Sequence, residues 1–220
     1  VRDLWVCQLP VTAYEDALEL QLRLRALRQS DRIPDVLLLL EHPPVYTRGR
    51  RTEAGELPLG EAFYRDRGIE VVDADRGGRV TYHGPGQLVG YPIMRITDVG
   101  GYLRTMEAAI VRALDDEGIA AGPVAGLTGV WTDGRKVASI GVHVARGVTT
   151  HGFAVNVEND LEPFEWIVPC GLAGVRMTSV AQETGRTGGM RCFRRAMAWR
   201  FCEAHGVRQR LVSSHQLETL

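Results

Sequence analysis

Lysine is almost absent from this chain. Lys and Arg together number 26, and Lys136 is the only lysine among them. Arg keeps its charge at any working pH, whereas an ammonium changes its pKa readily on burial and can pass a proton on. A lone Lys among arginines is either chance or a place where a guanidinium fails, so Lys136 is a candidate for amine chemistry. Cysteine is scarce too: Cys7, Cys170, Cys192 and Cys202 in 220 residues make no disulfide framework. Neither a CxxC pair nor an HExxH occurs, so zinc has no support and no metal is expected. No apolar run approaches the ~20 residues of a membrane span, and the N-terminus has no basic-then-apolar leader pattern. A soluble, cytoplasmic protein is the expectation. The net charge of -1 argues against strong non-specific nucleic-acid binding. No repeat, low-complexity linker or compositional break divides the chain, so one domain over 1–220 is expected.

What is present alternates between strand and helix patterns. Asp3 to Leu9 predicts a strand. Thr12 and Glu15 form a capping-box pattern that opens a helix through about Gln29. Val36 to Leu40 is an unbroken apolar run, typical of a strand buried on both faces. Val45 to Thr47 resumes extended structure, and Arg48-Gly49-Arg50-Arg51 follows as a solvated basic loop. Leu59 to Arg67 predicts a short helix, Ile69 to Val72 a strand, and Gly100 to Glu117 a helix stopped by Gly118. Asp133-Gly134 lies between two strand-like runs, a tight-turn signal that places Lys136 on a strand just beyond the turn. Thr149 to Val157 is another strand, with Gly152 a gap where a ligand can approach. Glu158 to Arg176 is irregular and carries Cys170 between Pro169 and Gly171. Thr178 or Ser179 caps a short turn ending at Gly185. Gly189 to His205 predicts a last helix with Phe193, Met197 and Phe201 on one stripe, where Cys192 and Cys202 are expected to be buried or inert. Cys7 gets the same expectation.

One stretch stands out, Arg76-Gly77-Gly78-Arg79-Val80-Thr81-Tyr82-His83 followed by Gly84-Pro85-Gly86-Gln87. Gly77-Gly78 permits close backbone approach. Arg79 to His83 predicts a strand, Gly84-Pro85-Gly86 a sharp turn, and Leu88 to Met94 a returning strand, so the stretch reads as a hairpin corner lining a site. The plainer alternative is a tight turn with incidental charges. Cys170 is set apart from the other thiols by its Pro/Gly flanks, which can leave a backbone N–H for an oxyanion. A thiol attacks only as thiolate, and a nearby ammonium favours that form. A structural loop cysteine remains open as an alternative. His83, His143 and His151 all fall on strands, where structural hydrogen bonding competes with a role as base.

Four segments in order, RGGRVTYHGPGQLVGYP, GRKVASIGVH, HGFAVNV and PCGLAGVRMTSV, closely resemble the octanoyl-[acyl-carrier-protein]:protein N-octanoyltransferases, the lipoyl(octanoyl) transferases of lipoate biosynthesis. The resemblance covers essentially the whole chain. It implies an α/β (α+β) fold, a mixed β-sheet flanked by helices like the catalytic domain of biotin/lipoate protein ligases. It places the acyl-thioester cysteine on Cys170 and the lysine that lowers its pKa on Lys136. The substrate-contacting segments it implies are Arg76 to His83, Ser139-Ile140-Gly141 and Gly152-Phe153-Ala154.

The implied reaction is ping-pong, from octanoyl-acyl carrier protein to Cys170 and then to a lysine amine of a lipoyl domain. The acceptors are the lipoyl domains of 2-oxoacid dehydrogenase complexes and the glycine cleavage H protein. Thioester exchange is nearly isoenergetic, so no ATP, cofactor or metal is implied. Gly77-Gly78 and Gly152 would line an acyl slot. Arg48/Arg50/Arg51 and Arg191/Arg194/Arg195 are candidates to meet the acidic carrier protein. The alternatives are an ATP-dependent lipoate or biotin ligase, suggested by the Gly/Arg-rich TRGRR at Thr47 to Arg51, a carrier-binding module without chemistry, and a thiol protease or amidase. Retention of Cys170 with Lys136 argues against the non-enzymatic one.

Overall fold

The computed structural model describes residues 2–168 and 174–220. Its strands are β1 (Asp3–Val11), β2 (Asp35–Glu41), β3 (Val45–Arg48), β4 (Glu70–Asp73), β5 (Thr81–His83), β6 (Gln87–Ile93), β7 (Gly122–Val124), β8 (Leu127–Thr132), β9 (Arg135–Ala145), β10 (Val148–Asn156) and β11 (Arg208–Leu211). The helices are α1 (Tyr14–Gln29), α2 (Gly60–Arg65), α3 (Val99–Asp115), α4 (Glu162–Glu165), α5 (Val180–Thr184), α6 (Met190–Ala204) and α7 (Ser214–Glu218). Among the described residues, eight strands form one sheet in the order β11-β1-β2-β6-β10-β9-β8-β7, and β4-β3-β5 form a second, smaller one. The β11–β1–β2 pairings are parallel and the rest of the large sheet is antiparallel, so it is mixed.

The period of two in a strand explains how one sheet serves two cores. In β2, Leu37 and Leu39 join the face covered by α3 and α6, while Val36, Leu38 and Leu40 join the face covered by α1. Every residue from Asp35 to Leu40 is buried, as an apolar run inside a two-faced sheet requires. On α6, Phe193, Met197 and Phe201 are fully buried. Each such side chain stabilises the fold by about 1.5–3 kcal/mol on the transfer scale. The β8–β9 hairpin turns at Asp133 and Gly134 with φ of 45° and 73°, the left-handed pair that a two-residue turn needs.

Several expectations are corrected. Thr12 does not cap α1: its hydroxyl donates to the Pro10 carbonyl, and Ala13 stands at the N-cap. Glu15 and Asp16 still sit in the first turn, where the helix dipole favours them. β5 and β6 are not a hairpin. β5 pairs with β3 in the small sheet, whereas β6 has both edges taken by β2 and β10. Gly84-Pro85-Gly86 therefore carries the chain from one sheet to the other. Cys192 is exposed, because its position on α6 lies off the buried stripe. The irregular stretch after Glu158 contains α4, and β7, β11 and α7 were not anticipated. Ser179 does cap α5, which ends at Gly185 in the left-handed conformation. No helix among the described residues is long and apolar enough to cross a membrane.

Candidate active site

A cavity of about 440 Å³ lies between the β9–β10 pair and the Arg76–His83 stretch. Arg76 shapes its wall. Its buried guanidinium donates to the Thr47 carbonyl (2.7 Å) and hydroxyl (2.6 Å), to Arg79 O (2.9 Å) and to Gly77 O (3.0 Å). The glycine turn is thus wrapped around a fixed cation. Gly77 N–H donates to Val142 O at 2.9 Å, which docks the turn on β9. A Cβ at Gly141 would come within 2.7 Å of Gly77 O, and one at Gly49 within 2.5 Å of Gly78 O. Three backbone segments meet there because none carries a side chain. Arg79 also lines the cavity and is held by Glu53 and Glu56.

The alternation of β5 sorts its residues. Thr81 and His83 face the cavity, while Val80 and Tyr82 point into the small-sheet core with Tyr46, Tyr64 and Phe164. Val80 and Tyr82, named among the substrate-contacting residues, therefore do not line the cavity. Ser139, Ile140, Gly141, Gly152, Phe153 and Ala154 all do. They form a paired patch, Ser139 opposite Ala154 and Gly141 opposite Gly152. Val99 and Leu103 of α3 and Leu127 of β8 add apolar wall.

Lys136 lines the same cavity and is 3% exposed. Its Nζ lies 5.4 Å from the Trp131 ring centroid. It also passes over Gly129, where a Cβ would stand 2.8 Å from Lys136 Cε. Both backbone groups of Lys136 are held by one segment: its N–H donates to Arg176 O (2.8 Å) and its carbonyl accepts from Thr178 N–H (3.0 Å), a parallel bridge to Met177. Cys170 lies outside the described residues. On its N-terminal side, Val168 N–H donates to Glu56 O at 2.9 Å.

Polar groups gather at the other end. Asp75 meets His151 Nε2 at 2.6 Å and His143 Nδ1 at 2.8 Å. The hydrogen bond from His151 holds the Asp75 carboxyl down to about 2. Burial keeps His151 below the usual imidazole range, with Asp75 opposing. His143 Nδ1 is also 3.2 Å from Arg50 Nη2, so a proton on Nδ1 serves Asp75 and a bare Nδ1 serves Arg50. His151 has a φ of 57°, strained for a non-glycine residue, and its N–H donates to Gln21 Oε1 (2.7 Å). His42 bonds to Tyr91 OH at 2.7 Å, and burial pushes its pKa down to about 4. Gln87 closes the stretch that stands out in the sequence, and Asp75 abuts it, but Tyr14 and His42 carry no local signal of a site.

Most of the other candidates fall away from the cavity, Arg51 at its rim excepted. Cys7 and Cys202 are buried, and burial pushes both thiols up to about 11. Arg48 is paired with Asp73 and Glu61, and Arg194 with Glu41, so both are committed within the fold. Arg51, Arg191 and Arg195 remain exposed. Among the described residues no His/Cys/Asp/Glu cluster of three or more suits a metal.

The model for the lipoyl protein ligase A/B catalytic domain matches residues 13–202. This chain belongs to that family. Relatives named octanoyltransferase include one from Thermobifida fusca, 45% identical over 197 residues, covering 84% of this chain and 81% of that protein. Another, from Geobacter sulfurreducens, is 49% identical over 185 residues, covering 82% and 76%. The motif resemblance to octanoyltransferases is therefore matched along most of the chain. Among solved structures, a bipartite lipoate protein ligase from Thermoplasma acidophilum superposes with a TM-score of 0.78 at 19% identity, covering 100% of this chain and 90% of that one. A biotin protein ligase from Aquifex aeolicus gives 0.52 at 13% identity, covering 94% and 70%. These two establish the fold: the mixed sheet with helices on both faces is that of the lipoyl protein ligase A/B catalytic domain.

Proposed function

We propose that this chain transfers an octanoyl group from octanoyl-acyl carrier protein to the lysine amine of a lipoyl domain, through a thioester on Cys170. The observation that carries the proposal is the clamp at Lys136. The segment following Cys170, Arg176 to Thr178, is bonded to both the N–H and the carbonyl of Lys136, and Lys136 opens onto an amphipathic cavity. The chain's only lysine is thereby tied to the peptide that continues from the candidate nucleophile.

In the first half-reaction Cys170 thiolate attacks the carrier thioester. One C–S bond forms, another breaks, and the leaving pantetheine thiolate takes a proton from Lys136. In the second, the acceptor amine attacks, a C–N bond forms, and Cys170 leaves. The proton shed by nitrogen is taken up by the neutral Lys136 as Cys170 leaves as thiolate, which restores the starting pair. Val99, Leu103, Leu127 and Phe153 offer the chain an apolar wall. Each methylene buried there is worth about 0.8 kcal/mol, so length discrimination is modest per carbon.

The test is transfer from octanoyl-acyl carrier protein to an isolated lipoyl domain with ATP omitted. Product is expected from the wild type and none from Cys170→Ala. Lys136→Arg keeps the charge but not the proton transfer, and should be nearly inactive. Strict dependence on ATP would favour a ligase instead.

A further inference from the structure

The hydrogen-bond chain behind His83 has a fixed direction because it ends on a backbone carbonyl. Thr178 O accepts only, so its partner at 3.0 Å is Asn156 Nδ2. Asn156 Oδ1 then faces Gln87, whose Nε2 donates to it at 2.9 Å and to Tyr82 O at 3.1 Å. Gln87 Oε1 is left to accept from His83 Nδ1 at 2.7 Å. Nδ1 therefore carries the proton, and the neutral ring presents its lone pair at Nε2. The network, not the imidazole itself, decides the tautomer.

His83 is 6% exposed and lines the cavity. No described residue bonds to its Nε2, and that atom is not sealed in as His151 Nδ1 is. Burial first, then His42, keeps the ring well below the usual imidazole range, so the lone pair persists across the working pH range. Of the neighbouring rings, Tyr91 gives its hydroxyl proton to His42 Nε2, because His42 Nδ1–H serves the Thr12 carbonyl, and His151 Nδ1 is closed off from solvent.

We propose that His83 Nε2 receives an N–H of the acceptor's primary amine and so aims the amine lone pair at the thioester carbonyl. The inference rests on the octanoyl-transfer function proposed above and adds a group specific to its second half. An attacking amine needs its lone pair forward and an acceptor behind one of its N–H bonds. The C–N bond forms, the C–S bond breaks with Cys170 leaving as thiolate, and the nitrogen's proton is taken up by Lys136. His83 gains no proton in the balance. The first half-reaction uses a thiolate nucleophile with no N–H, and there His83 has nothing to orient.

The two half-reactions therefore separate the role from a structural one. His83→Asn keeps a donor toward Gln87 Oε1 and has no atom at the Nε2 position. His83→Gln places an amide oxygen there. Single-turnover rates would be measured for loading from octanoyl-acyl carrier protein, then for transfer from the isolated octanoyl-protein to a lipoyl domain. In His83→Asn, transfer should fall about 10- to 100-fold more than loading, the scale of one well-placed hydrogen bond. His83→Gln should recover part of that loss. Equal losses in both halves, or none in transfer, would overturn the inference. A wild type that takes up no octanoyl group would overturn the octanoyl-transfer function and this inference with it, a distinct failure. Nitrogen NMR of the wild type gives a check that needs no variant. The His83 ring should be neutral with its proton on Nδ1, and a proton on Nε2 would refute the role.

Discussion

Gly129 is where fold and chemistry press hardest on each other. Its φ is 132°, a conformation that side chains rarely adopt. A Cβ there would stand 2.6 Å from Ala138 O and 2.8 Å from Lys136 Cε. Gly129→Ala thus combines backbone strain of about 1–3 kcal/mol with crowding of about the same size. Together they amount to about 2–6 kcal/mol, a Tm drop of about 5–20 °C in a chain of this length. Ala138 O is backbone and yields little, so the Lys136 stem must move. A shift of about 1 Å in a catalytic group costs on the order of 100-fold in rate. Gly134→Ala is the matched control. Gly134 also has a left-handed φ, 73°, yet a Cβ there meets nothing within 4 Å. It should lose about 1–2 kcal/mol from strain alone and keep its rate. The assay is octanoyl loading by quenched-flow mass spectrometry, below the Tm of both variants. If Gly129→Ala loads as fast as Gly134→Ala, the placement of Lys136 over Gly129 does not matter, and the reasoning fails.

Acid should weaken the fold in a definable window. His42 titrates near 4 when folded, against 6.5 when free, so between those values the unfolded chain binds more protons and stability falls with falling pH. Above 6.5 His42 contributes no slope. By pH 5 its share is about 2 kcal/mol, and urea titrations of the wild type and His42→Asn should differ in slope by nearly one proton there. An identical slope would contradict this. Gly90 lies opposite Phe153, and a Cβ at Gly90 would fall on that ring. Phe201 stacks with Phe153, which leaves the cavity as the way out. Gly90→Ala should therefore favour hexanoyl over octanoyl donors by about fourfold per methylene lost, read by direct competition.

The parts of the fold written as periodicity were legible. The β2 run, the α6 stripe and the Asp133-Gly134 turn all rest on local spacing that the structure then reproduces. The failures have physical causes. β5 and β6 look like a hairpin because each is strand-like and a turn joins them, but which edge a strand pairs with is set by distant partners, here β3, β2 and β10. β11 is a charged edge strand, Arg208-Gln209-Arg210-Leu211, with no buried face to impose alternation. The capping box of α7, Ser213 with Gln216, is legible in the sequence, but the helix it opens is only five residues long, too short for a periodic stripe. At the site, glycines and the lone Lys136 were visible as residue types. The chain from His83 through Gln87 and Asn156 to Thr178 spans three separate segments, so only tertiary structure brings it together.

Covalent capture tests the core of the account. The protein would be incubated with octanoyl-acyl carrier protein and no ATP, digested, and its peptides mapped by mass. One octanoyl group is expected on the peptide bearing Cys170, absent in Lys136→Arg and discharged when a lipoyl domain is added. No adduct without ATP, or an adduct on the exposed Cys192 instead, would contradict a thioester enzyme built around Cys170 and Lys136.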